Sequence, residues 1–462
     1  MITDCRGLEL TVTGADAARH LDDALDDYMR FGLDAGNHLK QALGADPDFV
    51  MAAILRGYFF KMFAVPALER KAAESVERVR ELIGARGATE RERGHAAALA
   101  AWVEGDLVAT TRHWETVLRD HPRDLLALKL AHFTHFYLGD DKELRDSIGR
   151  VLPDWDEAVP GYSTVLGMRA FGLEEAGEYG QAEAQGRKAV ELGPQDPWAI
   201  HAVTHVMEMQ DRRRDGIDWV TGLEPHWTDC NNFRFHIWWH RCLMHLELED
   251  YDSVLDLYDR EVRAESTEEY LDITNATSML WRLEERGVDV GARWGELAER
   301  SEDRIDDHLL IFADAHFYLA LAAAGSADAA ARMLSSMSEV PGGDHVTAAS
   351  VARHVGLPLC RAIGSWYAGD YGAVVDTLAP VRGALSDLGG SHAQRDLFHQ
   401  ILMSSAVRAG RFDTARDLLT DRTVSKPNNA WTWKRLAEAL GGLGDEAGAA
   451  DARAKAAALL AA

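Results

Sequence analysis

Two histidine pairs stand out among the residues that could do chemistry. His201 and His205 lie in the segment Trp198-Ala199-Ile200-His201-Ala202-Val203-Thr204-His205-Val206-Met207-Glu208-Met209, and His236 and His240 lie in Phe235-His236-Ile237-Trp238-Trp239-His240. Four residues are close to one helical turn, so each pair projects from one face of a helix. Glu208 joins the first face, and Glu247 joins the second. The two pairs are offset by 35 positions.

Imidazoles four apart on a helix make a two-toothed metal ligand, with His201, His205, His236 and His240 as the candidate set for a divalent ion. A carboxylate such as Glu208 can complete the site or orient a ring. The same groups could move protons at neutral pH, with His205, Glu208 and His240 as candidate catalytic residues. They could also contact a bound ligand with no reaction at all. The pattern is not H-E-x-x-H, because Ala202 follows the first histidine. The residues alone leave binding, metal chemistry and acid-base chemistry open, and with them whether the chain is an enzyme.

Three further places carry reactive groups. Ser391 and Gln394 have the spacing of a capping box, and behind them His392, Arg395, Asp396 and His399 share a helix face. Arg395 near a helix start suits a carboxylate or phosphate, or a structural ion pair; His392 and Asp396 are candidate catalytic or ligand contacts. Asp314 and His316 sit inside an apolar run, where an aspartate needs a partner or a cavity. Trp239, between the turns of its two histidines, is a candidate ligand contact as well as a core residue. Of four scattered cysteines, Cys230 lies closest to the histidines and is the one to test as a nucleophile.

The elements that position these groups read as helices from end to end. Apolar residues recur at three and four spacing and strand signals are nearly absent. Asp46-Pro47, His121-Pro122 and Asp196-Pro197 mark helix starts. A turn signature recurs at Gly105, Gly177, Glu249, Gly369, Gly410 and Gly444, often followed by an acidic residue and then an aromatic. In such a turn the glycine takes the left-handed conformation that ends one helix, and the aromatic staples the next. Spacings of 72 residues, twice 36, and of 34 separate several of these turns. Glu339-Val340-Pro341-Gly342-Gly343 reads as a loop.

The unit from Ser163 to Asp196 resembles the tetratricopeptide repeat, with Ala170, Gly177, Tyr179, Ala182, Ala189 and Pro194 at its marked positions. The expected fold is therefore all-α: an α-solenoid of tetratricopeptide-like helical hairpins forming a single superhelical body over residues 1–462. Its clearest repeats are 91–124, 163–196, 197–231 and 233–266, with C-terminal repeats and a capping helix over 347–462. Continuing the count, His201, His205 and Glu208 fall at repeat positions five, nine and twelve, which face the concave groove in that family. Helices one repeat apart stack side by side, so both histidine pairs are expected in one groove that captures a peptide or small molecule. A metal bridge requires the rings of His205 and His240 to lie within about 12 Å, given ligand bonds near 2.1 Å.

Composition narrows the partners. The net charge is −26, from 49 basic and 75 acidic residues, which disfavours nucleic acid and anionic membrane. Hydrophobic residues form 47% of the chain and include 13 tryptophans, enough for a folded core. No apolar run approaches the roughly 20 residues of a membrane helix, and the first residues lack a basic segment followed by an apolar one. Unpaired cysteines fit the same expectation of a cytoplasmic protein. Homo-oligomerisation is compatible with such a body.

Six stretches resemble the tetratricopeptide repeat protein 38 family: Trp198 to Met209, His236 to His240, Ser278 to Leu283, Asp314 to Phe317, Val355 to Cys360, and Leu388 to Asp396. Ile237 departs from the asparagine expected after the first histidine of its pair. The resemblance implies an α-helical repeat fold and an intracellular location. It implies no reaction.

Overall fold

Turn geometry sets the construction of the chain. In the computed structural model, which describes residues 2–461, Gly105, Gly139, Gly177, Gly369, Gly410 and Gly444 all have φ between 66° and 83°. Each sits in the tight connection between two antiparallel helices, as with Tyr162–Glu175 and Tyr179–Leu192 around Gly177. Glu249, at the equivalent place in its own turn, takes φ 59° despite its Cβ. A side chain there costs backbone strain, which the packing of the flanking helices must hold.

The prolines mark turns more than first helical residues. Helix Pro197–Met209 does begin at its proline, but the helices after Pro47 and Pro122 begin at Val50 and Leu125. Asp124 explains the second case: its carboxylate accepts from the Ala127 backbone N–H and so fixes the start. Among the described residues the sheet content is one antiparallel pairing of Ile2–Thr3 with Glu9–Leu10. The fold is all-α, built from successive helical hairpins, and among the described residues no helix is long and apolar enough to cross a membrane.

Two compact units emerge. The first comprises residues 1–203, 223–234 and 341–350. Its hairpins run in order from Ala15–Met29 with Ala35–Ala45 to Tyr162–Glu175 with Tyr179–Leu192, each packed on its successor. The segment after the predicted loop docks here, where Thr347 N–H donates to the Gly105 carbonyl at 3.0 Å. Its core holds an ionisable group: Lys129 is fully buried, its ammonium 4.6, 4.7 and 5.0 Å from the ring centres of Phe31, Phe133 and Trp198. Such faces stabilise a cation through the ring quadrupole.

The second unit comprises residues 204–222, 235–340 and 351–462. It contains the hairpins from Tyr270–Glu285 with Arg293–Glu302 to Ala430–Gly442 with Glu446–Ala461. Tyr270–Glu285, Ile311–Ala323 and His392–Arg408 are buried over most of their length, polar residues included. A helix enclosed on every side must satisfy its polar groups internally. That requirement builds the site.

Candidate metal centre

Helices Pro197–Met209 and Phe233–Glu247 supply the rings, and Tyr270–Glu285 supports them from behind. Within the second unit, the ring centres of His205 and His240 are 4.4 Å apart, and those of His236 and His240 are 4.8 Å apart. Their nitrogens can be chosen so that one atom from each of the three lies within 4.8 Å of the others. The spacing lies well inside the limit that a shared ion imposes.

Ring orientation is specific. The His240 Nδ1 lies 2.6 Å from the Glu208 carboxylate, which accepts its proton. The His236 Nδ1 lies 3.1 Å from Asn275 Oδ1, again an acceptor. With the Nδ1 protons so placed, the two Nε2 atoms face each other 3.3 Å apart. Two ligand atoms on a tetrahedral ion with bonds of 2.0–2.1 Å are separated by about 3.3–3.4 Å. Two imidazole nitrogens facing at this distance suit a shared cation.

Electrostatics favours the ligand form of these rings. Burial, with the neighbouring imidazoles, pushes His236 and His240 well below the ordinary histidine range, so both are neutral at physiological pH. Trp239 stacks on His236 with ring centres 5.2 Å apart and donates its indole N–H to Ser278 Oγ at 2.9 Å. Both contacts lock the rotamers around the His236 ring.

Glu208 has a second side. It borders a cavity of about 20 Å³, lined among others by Asp211, Glu247, Arg282, Asp396, Arg422 and Lys426. Burial raises the Glu208 pKa, while Lys426, His205 and Arg282 oppose that rise. Arg422 pairs with both oxygens of Asp396, one bond measuring 2.8 Å. Arg282 is fully buried and donates to the carbonyls of Ser278 and Ala393, each at 3.1 Å.

The residues singled out by sequence lie at several places in the fold. His205, Glu208, His236, Trp239 and His240 come together. His201 lies one turn upstream on the same helix and belongs to the first unit, where it packs on Phe171, Trp198 and Phe233 at ring distances of 5.0–5.5 Å. His205 and His240 are both 0% exposed, so the open groove expected from the repeat register is a closed interior here. Asp396 lines the charged cavity. Glu247 lies there too, held by Arg286 and Asn429, each at 2.7 Å.

The remaining candidates make local contacts. Asp314 bonds His308 Nδ1 at 2.9 Å, and His308 reaches Ser336 Oγ at 2.6 Å. His316 bonds the Phe312 carbonyl at 2.8 Å and is pushed down to about 4 by burial. Ser391 and Gln394 form the expected capping box. Arg395 donates to the Gly390 carbonyl and lies 3.2 Å from His392 Nδ1, contacts that turn it to the helix start. Cys230 is buried and burial pushes its thiol up to about 12, so it is a poor nucleophile.

Asn275, Arg282, Arg422 and Lys426 escaped the sequence reading. A usable signal was present for the first two: Tyr270–Glu285 carries Asn275, Ser278 and Arg282 on a helix without a polar face to spare. Arg422 and Lys426 sit in a segment whose composition is that of an ordinary surface helix.

No family model matches the chain. Solved structures match it over long stretches at low identity. The human IFIT1 dimer with PPP-AAAA is 10% identical, with 98% of this chain and 96% of that one covered and a TM-score of 0.42. The structure of Naa15/Naa10 bound to HypK-THB is 11% identical, with coverages of 96% and 70% and a TM-score of 0.27. The P58(IPK) TPR domain is 12% identical, with coverages of 80% and 98% and a TM-score of 0.22.

Proposed function

We propose that this chain is a metal-binding helical-repeat protein whose His205, His236 and His240 hold one divalent transition-metal ion. The observation that carries the reading is the 3.3 Å approach of the His236 and His240 Nε2 atoms, with Glu208 and Asn275 accepting from the opposite nitrogens. Imidazole ligands of metal ions commonly donate their other N–H to a carboxylate or carbonyl in this way. An all-nitrogen set suits zinc, cobalt or nickel better than calcium or magnesium, which prefer oxygen.

Burial favours a tightly held ion over contact with a peptide lying in an open groove. The charged cavity on the far side of Glu208, about 20 Å³, has room for a water molecule. All four cysteines are free thiols, which fits a reducing cytoplasm. The segments that resemble the tetratricopeptide repeat protein 38 family include both histidine helices, and we place the chain's relatives there.

Metal analysis of protein purified without an affinity tag tests the proposal. One tightly held equivalent, lost in His236→Ala together with His240→Ala, is the expected result. Equal metal content in the wild type and the double variant, both folded, overturns it.

A further inference from the structure

A second cluster lies in the first hairpin of the first unit. Helices Ala15–Met29 and Ala35–Ala45 pack antiparallel and bring His20, Asp23 and His38 together. One ligand-capable atom from each lies within 4.8 Å of the other two. His20 Nδ1 is 3.8 Å from Asp23 Oδ2 on the same helix, and His38 arrives from the neighbouring one. Neither His20 Nδ1 nor His38 Nδ1 has a hydrogen-bond partner among the described residues.

The surroundings favour a cation. Helix Ala15–Met29 carries Asp16, Asp22, Asp23, Asp26 and Asp27 against the single basic residue Arg19, with His20 beside them. Clustered negative charge raises the local concentration of positive ions. Arg19 approaches Asp23 only to 3.9 Å, and its largely exposed side chain can swing away into water. The three candidate ligands are part-exposed, in contrast to the closed histidine centre. Beside them lies an open hollow of about 580 Å³ lined by Asp34, Asn37, His38, Lys40 and Gln41.

We infer that His20, Asp23 and His38 form a second, solvent-accessible site for a divalent transition-metal ion. Two imidazoles and one carboxylate leave coordination positions open, and the hollow beside His38 gives water or a small oxygen-donor ligand access to them. Two nitrogen donors in three disfavour calcium and magnesium. The site shares no residue with the buried centre.

Cobalt(II) titration of the full-length, untagged protein, followed by calorimetry and visible absorption, tests the inference. Wild-type protein is expected to bind one more equivalent than His20→Ala and one more than His38→Ala, and Asp23→Asn is expected to weaken that equivalent at least tenfold. The same equivalent persists in His236→Ala/His240→Ala, so failure here is separable from failure of the buried centre. All three side chains are part-exposed, and circular dichroism checks the fold of each variant. Identical stoichiometry and affinity in wild type, His20→Ala and His38→Ala overturn the inference.

Discussion

His236 and His240 face each other through Nε2 atoms 3.3 Å apart, while Asn275 and Glu208 hold their outward nitrogens. Neither ring can turn away without losing its hydrogen bond. The pair is preorganised as ligands, and the outer partners fix the tautomer that binding requires.

Glu208→Gln keeps the size of that side chain and removes its charge. The zinc affinity of the buried centre should fall by roughly 10–100-fold, with the number of ions bound unchanged. Competition against a chromophoric chelator measures this. An affinity equal to wild type would show that Glu208 does not support the ion.

Metal removal should also lower stability, because an ion that binds only the folded chain stabilises it by mass action. At a free concentration 100-fold above Kd the effect is about 2.7 kcal/mol. In a His38→Ala background, chelation should shift the denaturation midpoint downward, and it should leave the same protein carrying His236→Ala/His240→Ala unmoved. Equal shifts in both proteins would count against the buried centre.

Asp396 and Arg422 form a buried ion pair, so removing one partner strands the other. Asp396→Asn should cost about 3–5 kcal/mol in urea denaturation. Burial opposes ionisation of Asp396, but Arg422 and Lys426 outweigh it and hold the carboxyl well below the usual range. The unfolded chain therefore binds this proton first. The stabilisation is complete above the unfolded value of about 3.9 and is lost as the pH falls through the lower folded value. A variant as stable as wild type near neutrality would contradict the ion pair.

Lys129 gives the opposite pH window. Burial depresses its pKa to about 8, with Asp196 opposing. Between about 8 and the unfolded value near 10.4 the unfolded chain holds a proton that the folded chain has released, so stability rises with pH. The full rise is on the order of 3 kcal/mol. Lys129→Met should be more stable than wild type at pH 7, and the gap should close as the pH approaches 10.4. Parallel stability curves for the two proteins across this range would refute the account.

The hairpin rhythm is legible in the sequence because left-handed turns demand particular residues, and Gly177 or Gly410 announces itself locally. The convergence of His205 with His240 is legible for a related reason: a 35-residue offset matches one repeat. Burial of the rings is not. Asn275 lies 39 positions beyond His236, and Arg422 lies 26 beyond Asp396; neither interval belongs to the period that the histidines obey. Asp314 shows the same limit, since its partner His308 lies in a turn with φ 45° that no periodicity marks.

X-ray absorption at the zinc edge, on a His38→Ala variant loaded with one equivalent, tests the buried centre most directly. Imidazole nitrogen scattering at about 2.0–2.1 Å with outer-shell ring features is the predicted result. Sulfur near 2.3 Å, or a spectrum unchanged by His240→Ala, would contradict it.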